Sequence, residues 1–125
     1  TDFIIKFAQR QEIPTYAHAS NFSIFFIKPA YSKKSSSPTK MGELMAMGIP
    51  LICNNNVGDV ELIMKKANAG FCIDKLTEQA FTKTIKQLNN SILYEPKEIR
   101  ENSKQFYDLE NGGNLYLTVY KQLLK

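Results

Sequence analysis

Residues 28–43 combine basic, hydroxyl and carboxylate side chains in a pattern suited to binding phosphate. No acidic residue occurs between Glu12 and Glu43. Serine hydroxyls and lysine ammonium groups donate hydrogen bonds to anions, and a helix N-terminus adds free N–H groups and a positive dipole end. We therefore predict a phosphate or diphosphate site here, with its lysines at Lys28, Lys33, Lys34 and Lys40.

The elements predicted around this stretch place it where open α/β sheets bind ligands. Residues 21–27 are a β-rich apolar run, and Pro29 ends it. Ser37 and Pro38 have the residue types expected of the N-cap and the first residue of a helix. The loop between this strand and this helix therefore leaves the carboxyl end of the strand. The same residues also fit a solvated loop before an ordinary N-cap, and the pattern leaves both interpretations open.

Glu43 is the carboxylate closest to this predicted site. It lies on the second turn of the predicted helix, next to the core-facing Leu44 and Met45. A partly buried carboxylate needs hydrogen-bond partners, and two sugar hydroxyls would suit it. In the alternative interpretation Glu43 is structural and accepts hydrogen bonds from backbone N–H groups or from Lys40.

Strand-like and helix-like periods alternate along the chain and predict an α/β fold. We expect strands at residues 3–7, 21–27, 49–53 and 71–73. Helices are expected at about 14–19, from Pro38 to a stop at Gly48 and from Asp59 to Gly70. From Thr77 the chain is expected to be helical to its end, with Pro96 opening a new helix. The expected core-facing residues of these helices are Met41, Leu44, Met45, Val60, Ile63, Phe81, Ile85, Leu88, Ile99, Ser103, Phe106, Tyr116, Val119, Tyr120 and Leu123. A Rossmann-like parallel sheet with helices on both faces follows.

Composition narrows the class of protein. The chain has 125 residues, a net charge of +4 and two cysteines, which predicts one domain, no disulfide scaffold and a reducing, cytoplasmic location. The charge is too small to indicate nucleic acid. Neither a G-x-G-x-x-G fingerprint nor a P-loop occurs, which argues against a Rossmann oxidoreductase. We expect the first βαβ part of the domain to be missing from this sequence.

The segment S-P-T-K-M-G-E-L-M-A-M-G-I-P-L-I, residues 37–52, resembles the donor-binding segment of the retaining GT-B glycosyltransferases known as glycosyltransferase group 1. That family carries a loop, a helix with E-x-M-A-x-G-x-P-x-I, and a strand. Upstream I-P-T-Y-A-H-A-S-N-F-S-I-F-F-I-K-P and downstream N-V-G-D-V-E-L-I and A-G-F-C-I-D are similar to the adjoining family elements. The closing F-Y-D-L-E-N-G-G-N-L-Y-L-T-V-Y is similar to its last helices. The resemblance therefore covers nearly the whole chain, as the C-terminal part of a donor-binding domain.

The resemblance implies a role for each matching residue. Glu43 would hold the ribose hydroxyls of the nucleotide, and the backbone N–H groups of Thr39 and Lys40 would hold the donor diphosphate. Pro38 lacks one N–H donor that many relatives have. By the same comparison Ser35, Ser36 and Ser37 would face the transferred sugar. Gln9 and Arg10 would contact the nucleotide base.

One position departs from the family pattern E-x7-E. Ser35 stands where the first glutamate is expected, eight residues before Glu43. S-P-x-K resembles a variant of the loop, so activity is compatible with the sequence, but the identity of the sugar is left open. No D-x-D pair is present, and the resemblance implies catalysis without a metal or other cofactor.

The family also implies partners for the chain. A hexosyl donor would be transferred to a saccharide or lipid-linked acceptor held by an absent N-terminal domain, as in polysaccharide biosynthesis, so we expect this chain alone to be inactive. A peripheral contact with the inner face of a membrane would suit lipid-linked acceptors. The alternative hypothesis is a non-catalytic module that binds nucleotide or phosphate through the same loop.

Overall fold

The computed structural model of the protein describes residues 3–89 and 94–124, which form an α/β fold with a parallel sheet in the order β1-β2-β3. The strands are β1 (Ser23–Ile24), β2 (Leu51–Asn54) and β3 (Gly70–Ile73). The helices are α1 (Ile13–His18), α2 (Thr39–Ala46), α3 (Val60–Ala67), α4 (Glu78–Asn89), α5 (Pro96–Tyr107) and α6 (Leu109–Leu123), and a 3₁₀ turn spans Tyr31–Ser35. The predicted α/β class is confirmed.

The parallel register brings the carboxyl ends of all three strands to one edge. Leu51 lies opposite Ser23 on one side and Gly70 on the other. Although β1 is short, its pairing extends to Phe25, whose N–H donates to the Ile52 carbonyl at 3.1 Å. The loops that follow β1 and β2 therefore meet at the same edge, which is where the predicted phosphate-binding stretch begins.

The main core lies between one face of the sheet and helices α2, α3 and α5. β2 is buried at every position, as expected for the central strand of a parallel sheet. Most of the predicted stripes are confirmed here, and the fully buried side chains include Met41, Met45, Leu51, Cys53, Val60 and Ile99. Ser103 is also buried, and its hydroxyl donates to the Arg100 carbonyl at 2.8 Å.

Helix α4 covers the opposite face of the sheet. Phe25 and Ile27 pack against the main core, so Phe26 between them points to the other face. There its ring meets Phe81 of α4 edge-on, with 5.5 Å between the centroids. The predicted stripe of α4 is partly wrong, because Ile85 is exposed and Thr84 is buried instead. The Thr84 hydroxyl is satisfied by the Ala80 carbonyl one turn earlier.

Two predicted apolar elements are not packed against this fold. Residues 3–7 form no strand, and Phe3, Ile4, Ile5 and Phe7 are at least 85% exposed. Helix α6 forms as predicted but buries none of its residues, and Tyr116 and Tyr120 do not pack on the body of the domain. The predicted buried strand at residues 3–7 and the predicted packing of α6 are therefore wrong, because the described residues offer no surface that covers these apolar side chains.

The C-terminal ends of α2 and α3 follow the predicted signals with one correction. Gly48 has a positive φ of 73° and follows α2, as expected for a stop signal. Helix α3, in contrast, ends before Asn68, which takes the left-handed conformation at φ 49°, and Gly70 already belongs to β3. Asparagine can make this turn because its short polar side chain tolerates left-handed backbone. The helix predicted from Thr77 onwards includes residues 90–93, which lie outside the described residues.

Candidate functional site

The loop after β1 is held in place by a buried asparagine at the end of β2. Asn54 is 3% exposed. Its side-chain oxygen accepts from the Ile27 N–H at 2.8 Å, and its amide nitrogen donates to the Ile27 carbonyl at 2.9 Å and to the Asn55 carbonyl at 3.0 Å. A side-chain amide thus replaces the backbone pairing that β1 no longer makes, and it fixes the point where the basic loop leaves the sheet.

The far end of the loop rests on Gly58, in the turn between β2 and α3. The Gly58 N–H donates to the Lys33 carbonyl at 3.0 Å. Gly58 has φ +45°, and a Cβ placed on it would lie 1.9 Å from the Ser36 carbonyl oxygen. Because real Cβ atoms do not approach a carbonyl oxygen so closely, this contact requires glycine. The loop is therefore anchored by β2 at its beginning and by the β2–α3 turn at its end.

Helix α2 begins one residue later than predicted. Pro38 has an extended conformation with ψ 110° and is the N-cap, so Ser37 stays in the loop and does not cap the helix. The predicted assignment of Ser37 as N-cap and Pro38 as first helical residue is wrong. The Met41 N–H donates to the Pro38 carbonyl at 3.0 Å. Among the described residues, no hydrogen-bond partner is found for the N–H groups of Thr39 and Lys40.

Glu43 points to solvent, in contrast to the predicted partial burial. Its side chain is 53% exposed and pairs with Lys40 at 2.9 Å, and the Lys40 side chain is 71% exposed. The two residues are three positions apart, and this spacing brings their side chains together on the outer surface of α2 while Met41 and Met45 face the core. The structural alternative, in which Lys40 is the partner of Glu43, is thus realised.

A cavity of about 280 Å³ lies between the loop and the start of α3. It is lined by Lys34, Ser35, Ser36, Ser37, Gly58 and Asp59. The structure therefore brings the three predicted serines together on one surface next to the N-terminus of α2. Lys34 is exposed, and its Nζ atom lies 5.9 Å from the centroid of the Tyr31 ring. The Asp59 carboxylate gives this cavity an acidic wall that the analysis of the sequence did not foresee.

Tyr107, at the end of α5, is a neighbour of this site that sequence analysis missed. Its ring packs against Gly42, where an added Cβ would lie 2.7 Å from Cδ1 of the ring. The Tyr107 hydroxyl is buried and makes no hydrogen bond of normal geometry. Burial raises the pKa of Tyr107; the nearby Ser37 hydroxyl opposes this rise and the Asp59 carboxylate adds to it. Close packing of a tyrosine on a helical glycine leaves no simple signal in a single sequence.

We expect Tyr107→Phe to leave the protein as stable as the wild type or up to about 1 kcal/mol more stable. A buried hydroxyl without a hydrogen bond of normal geometry has lost its hydration and gained little in exchange, so its removal relieves that cost. Urea denaturation of the two proteins measures the difference in the free energy of unfolding. A loss of more than about 1 kcal/mol would show that the hydroxyl has a stabilising partner at this site.

Gln9 and Arg10, predicted to contact a nucleotide base, lie in the turn before α1. The Gln9 N–H donates to the Glu12 carboxylate at 2.8 Å, and the Glu12 N–H donates to the Gln9 carbonyl at 2.9 Å. Arg10 is exposed and does not line the cavity beside the serines. Within the described residues, no hydrogen bond or ion pair joins Arg10 to the loop or to α2. The structure therefore does not bring this residue together with the others.

A second concave surface of the described residues differs in its charges. A larger groove of about 880 Å³ runs beside Phe71 and α4, where Glu78, Lys83 and Lys86 give it charges of both signs. In the part of the chain that the structure describes, no group of three His, Cys, Asp or Glu residues could hold a metal ion. No helix in that part is long and apolar enough to cross a lipid bilayer.

The chain was compared with protein-family models, with curated proteins and with solved structures, and none of them matches it. The site must therefore be interpreted from its own chemistry. It offers two unpartnered backbone N–H groups, several hydroxyls, exposed lysines and an exposed carboxylate within one loop and the first two turns of one helix. Such a surface suits a ligand that carries both an anionic group and hydroxyls.

Proposed function

We propose that this chain is the donor-binding part of a retaining GT-B glycosyltransferase and holds a nucleoside-diphosphate sugar at the start of α2. The observation that carries the proposal is the pair of unpartnered N–H groups on Thr39 and Lys40, with the exposed Glu43 carboxylate one turn away. Glu43 lies three residues beyond Lys40, which is a rise of about 4.5 Å along the helix. In the proposed complex, one nucleotide would have its diphosphate at the N–H groups and its ribose at the carboxylate.

The proposed chemistry is electrostatic. As the bond between sugar and diphosphate stretches towards an oxocarbenium-like state, negative charge develops on the leaving diphosphate. The Thr39 and Lys40 N–H groups, the dipole of α2 and the nearby lysines stabilise that charge from fixed positions. The serines at 35–37 line the adjoining cavity, where the transferred sugar would lie. No residue of this chain needs to act as a metal ligand in this scheme.

The acceptor would be a saccharide or a lipid-linked sugar bound by a separate N-terminal domain. Since this chain would supply only the donor half of the active site, it should bind the nucleotide but transfer little or no sugar alone. A cytoplasmic location, with peripheral contact at the inner face of a membrane for lipid-linked acceptors, belongs to the same proposal.

A second candidate is a non-catalytic module that binds nucleotide or phosphate. Two observations favour it. Ser35 replaces the first glutamate of the family pattern, and Glu43 already has Lys40 as a partner at 2.9 Å. In that case the loop and the helix N-terminus bind the anion alone, and the carboxylate contributes only to the surface of α2.

Calorimetric titration separates the two candidates. UDP, GDP, a UDP-hexose, GDP-mannose, NAD and inorganic diphosphate are tested on the chain and on Glu43→Ala. If Glu43 accepts hydrogen bonds from two ribose hydroxyls, its removal should weaken binding of the preferred nucleotide by at least about 30-fold, equivalent to about 2 kcal/mol. Diphosphate, which has no ribose, should bind the variant at least as well as the wild type.

Glu101→Ala is the matched control. Glu101 pairs with Lys104 at 2.6 Å with the same three-residue spacing and nearly the same exposure, but on α5. It should leave nucleotide affinity unchanged. Equal binding of diphosphate and of all nucleotides, with no effect of Glu43→Ala, would favour the non-catalytic module. No binding of any of these ligands would contradict both candidates.

A further inference from the structure

The two cysteines of the chain face each other across the sheet. Cys53 in β2 and Cys72 in β3 are partners in the parallel register, and their sulfur atoms are 3.9 Å apart. Both are free thiols. Neighbouring strands are spaced about 4.8 Å apart, which lies within the range of Cα separations that a disulfide spans. Rotation of the two side chains can therefore bring the sulfurs to bonding distance without separating the strands.

The two thiols have different surroundings. Cys53 is fully buried, whereas Cys72 is half-buried near the carboxyl end of β3. The Cys72 thiol donates to the side-chain oxygen of Asn55, and the Asn55 amide donates to the Asp74 carboxylate. Cys72 is thus the more exposed residue of the pair, and Cys53 lies in the core.

The contact between the two thiols shifts their pKa values in opposite directions. The Cys53 thiol can donate to Cys72, which lowers the pKa of Cys72 despite partial burial and the nearby carboxylates of Glu61 and Asp74. The pKa of Cys53 is raised because it is the donor in this contact and because it is buried. Cys72 is therefore the thiol that ionises first, and Cys53 retains its proton.

We propose that Cys53 and Cys72 are an oxidation site for hydroperoxides, at which an intrachain disulfide forms between β2 and β3. This site is independent of the function proposed for the loop and α2. A partly exposed thiol that touches a second, buried thiol is the arrangement in which a sulfenic acid is captured as a disulfide. In a reducing compartment such a bond is transient.

The proposed reaction has two steps. The Cys72 thiolate attacks the terminal oxygen of the hydroperoxide, the O–O bond breaks, and Cys72 becomes a sulfenic acid. The departing oxygen takes up a proton and leaves as water or as an alcohol. Cys53 then attacks the sulfur of Cys72 and displaces hydroxide, which takes the Cys53 proton and leaves as water. With hydrogen peroxide, two thiols and one peroxide give one disulfide and two waters. A small thiol reductant then reduces the disulfide to the two thiols.

The test treats the wild-type chain with hydrogen peroxide, blocks the remaining thiols with an alkylating agent and measures the intact mass. We expect a monomer that has lost two hydrogens and takes up no alkyl group. Trypsin cuts after Lys65, Lys66 and Lys75, so the cysteines fall on different peptides, which should be recovered linked. The same treatment in guanidinium should give slower disulfide formation, because unfolding separates the thiols. Equal rates, or disulfides between chains only, would overturn the proposal.

Serine variants assign the roles of the two thiols. Cys53→Ser should react through Cys72 and accumulate a sulfenic acid that dimedone traps. Cys72→Ser should react at least about tenfold more slowly, since its remaining thiol is buried and largely protonated. Circular dichroism establishes that each variant is folded, and the comparison of native with unfolded wild type stands whether or not they fold. Faster reaction of Cys72→Ser than of Cys53→Ser would contradict the roles assigned here.

Discussion

Replacing Gly58 by alanine should lower the free energy of unfolding by about 2–4 kcal/mol and abolish the proposed nucleotide binding at the loop. The residue has φ +45°, a conformation that costs an L-residue with a Cβ about 1–2 kcal/mol. The new methyl group would also meet the Ser36 carbonyl oxygen at 1.9 Å, and this carbonyl belongs to the backbone segment that the Gly58 N–H holds through the Lys33 carbonyl. The Lys33–Ser36 segment must therefore move away from Gly58 and the turn between β2 and α3.

Gly113→Ala is the control for this substitution. Gly113 lies within α6, where an added Cβ meets no atom within 4 Å. Alanine is the better helix former there, so stability should be unchanged or up to about 1 kcal/mol higher. Urea denaturation measures the free energy of unfolding of both variants. Titration with the preferred nucleotide measures the affinity of the proposed site. A Gly58→Ala protein as stable as the wild type would mean that the Ser36–Gly58 contact is not tight in solution.

The core helices were predictable because their apolar spacing and their partners are both encoded in this chain. Val60 and Ile63 lie on one face of α3, and the sheet and α5 cover that face. The exposed segments show the limit of the same reasoning. Spacing indicates that Tyr116 and Tyr120 share a face of α6, but it carries no information on what, if anything, covers that face. Amphipathicity defines a surface, and packing needs a second surface that complements it.

The candidate site was predictable as a segment but not as a geometry. The basic loop and the start of α2 were located within one residue, because proline and serine mark helix starts through local backbone preferences. The predicted partial burial of Glu43 was wrong. Glu43 lies on the outer side of α2 and pairs with Lys40 there, and which side is the outer one depends on where the core lies. Asn54 was missed because a polar residue in a run of three asparagines gives no sign that its amide is buried.

Asn54→Ala should destabilise the protein by about 2–4 kcal/mol and weaken the proposed nucleotide binding, although Asn54 would not touch the nucleotide. The substitution removes one acceptor and two donors, so the Ile27 N–H and carbonyl lose their partners at the point where the loop leaves the sheet. Urea denaturation and calorimetric titration measure the two effects. Asn114→Ala, at an exposed position of α6, is the control and should change neither by more than about 0.5 kcal/mol.

Asn54→Asp distinguishes lost hydrogen bonds from a lost side-chain volume. Aspartate keeps the shape and accepts from the Ile27 N–H, but when ionised it cannot donate to the carbonyls of Ile27 and Asn55. Burial next to two carbonyl oxygens should raise its pKa in the folded protein, because both disfavour the charged form. Its stability should therefore approach that of the wild type below about pH 4 and fall as the pH rises through the raised folded pKa. A pH-independent loss equal to that of Asn54→Ala would show that packing, rather than the amide hydrogen bonds, holds the loop to β2.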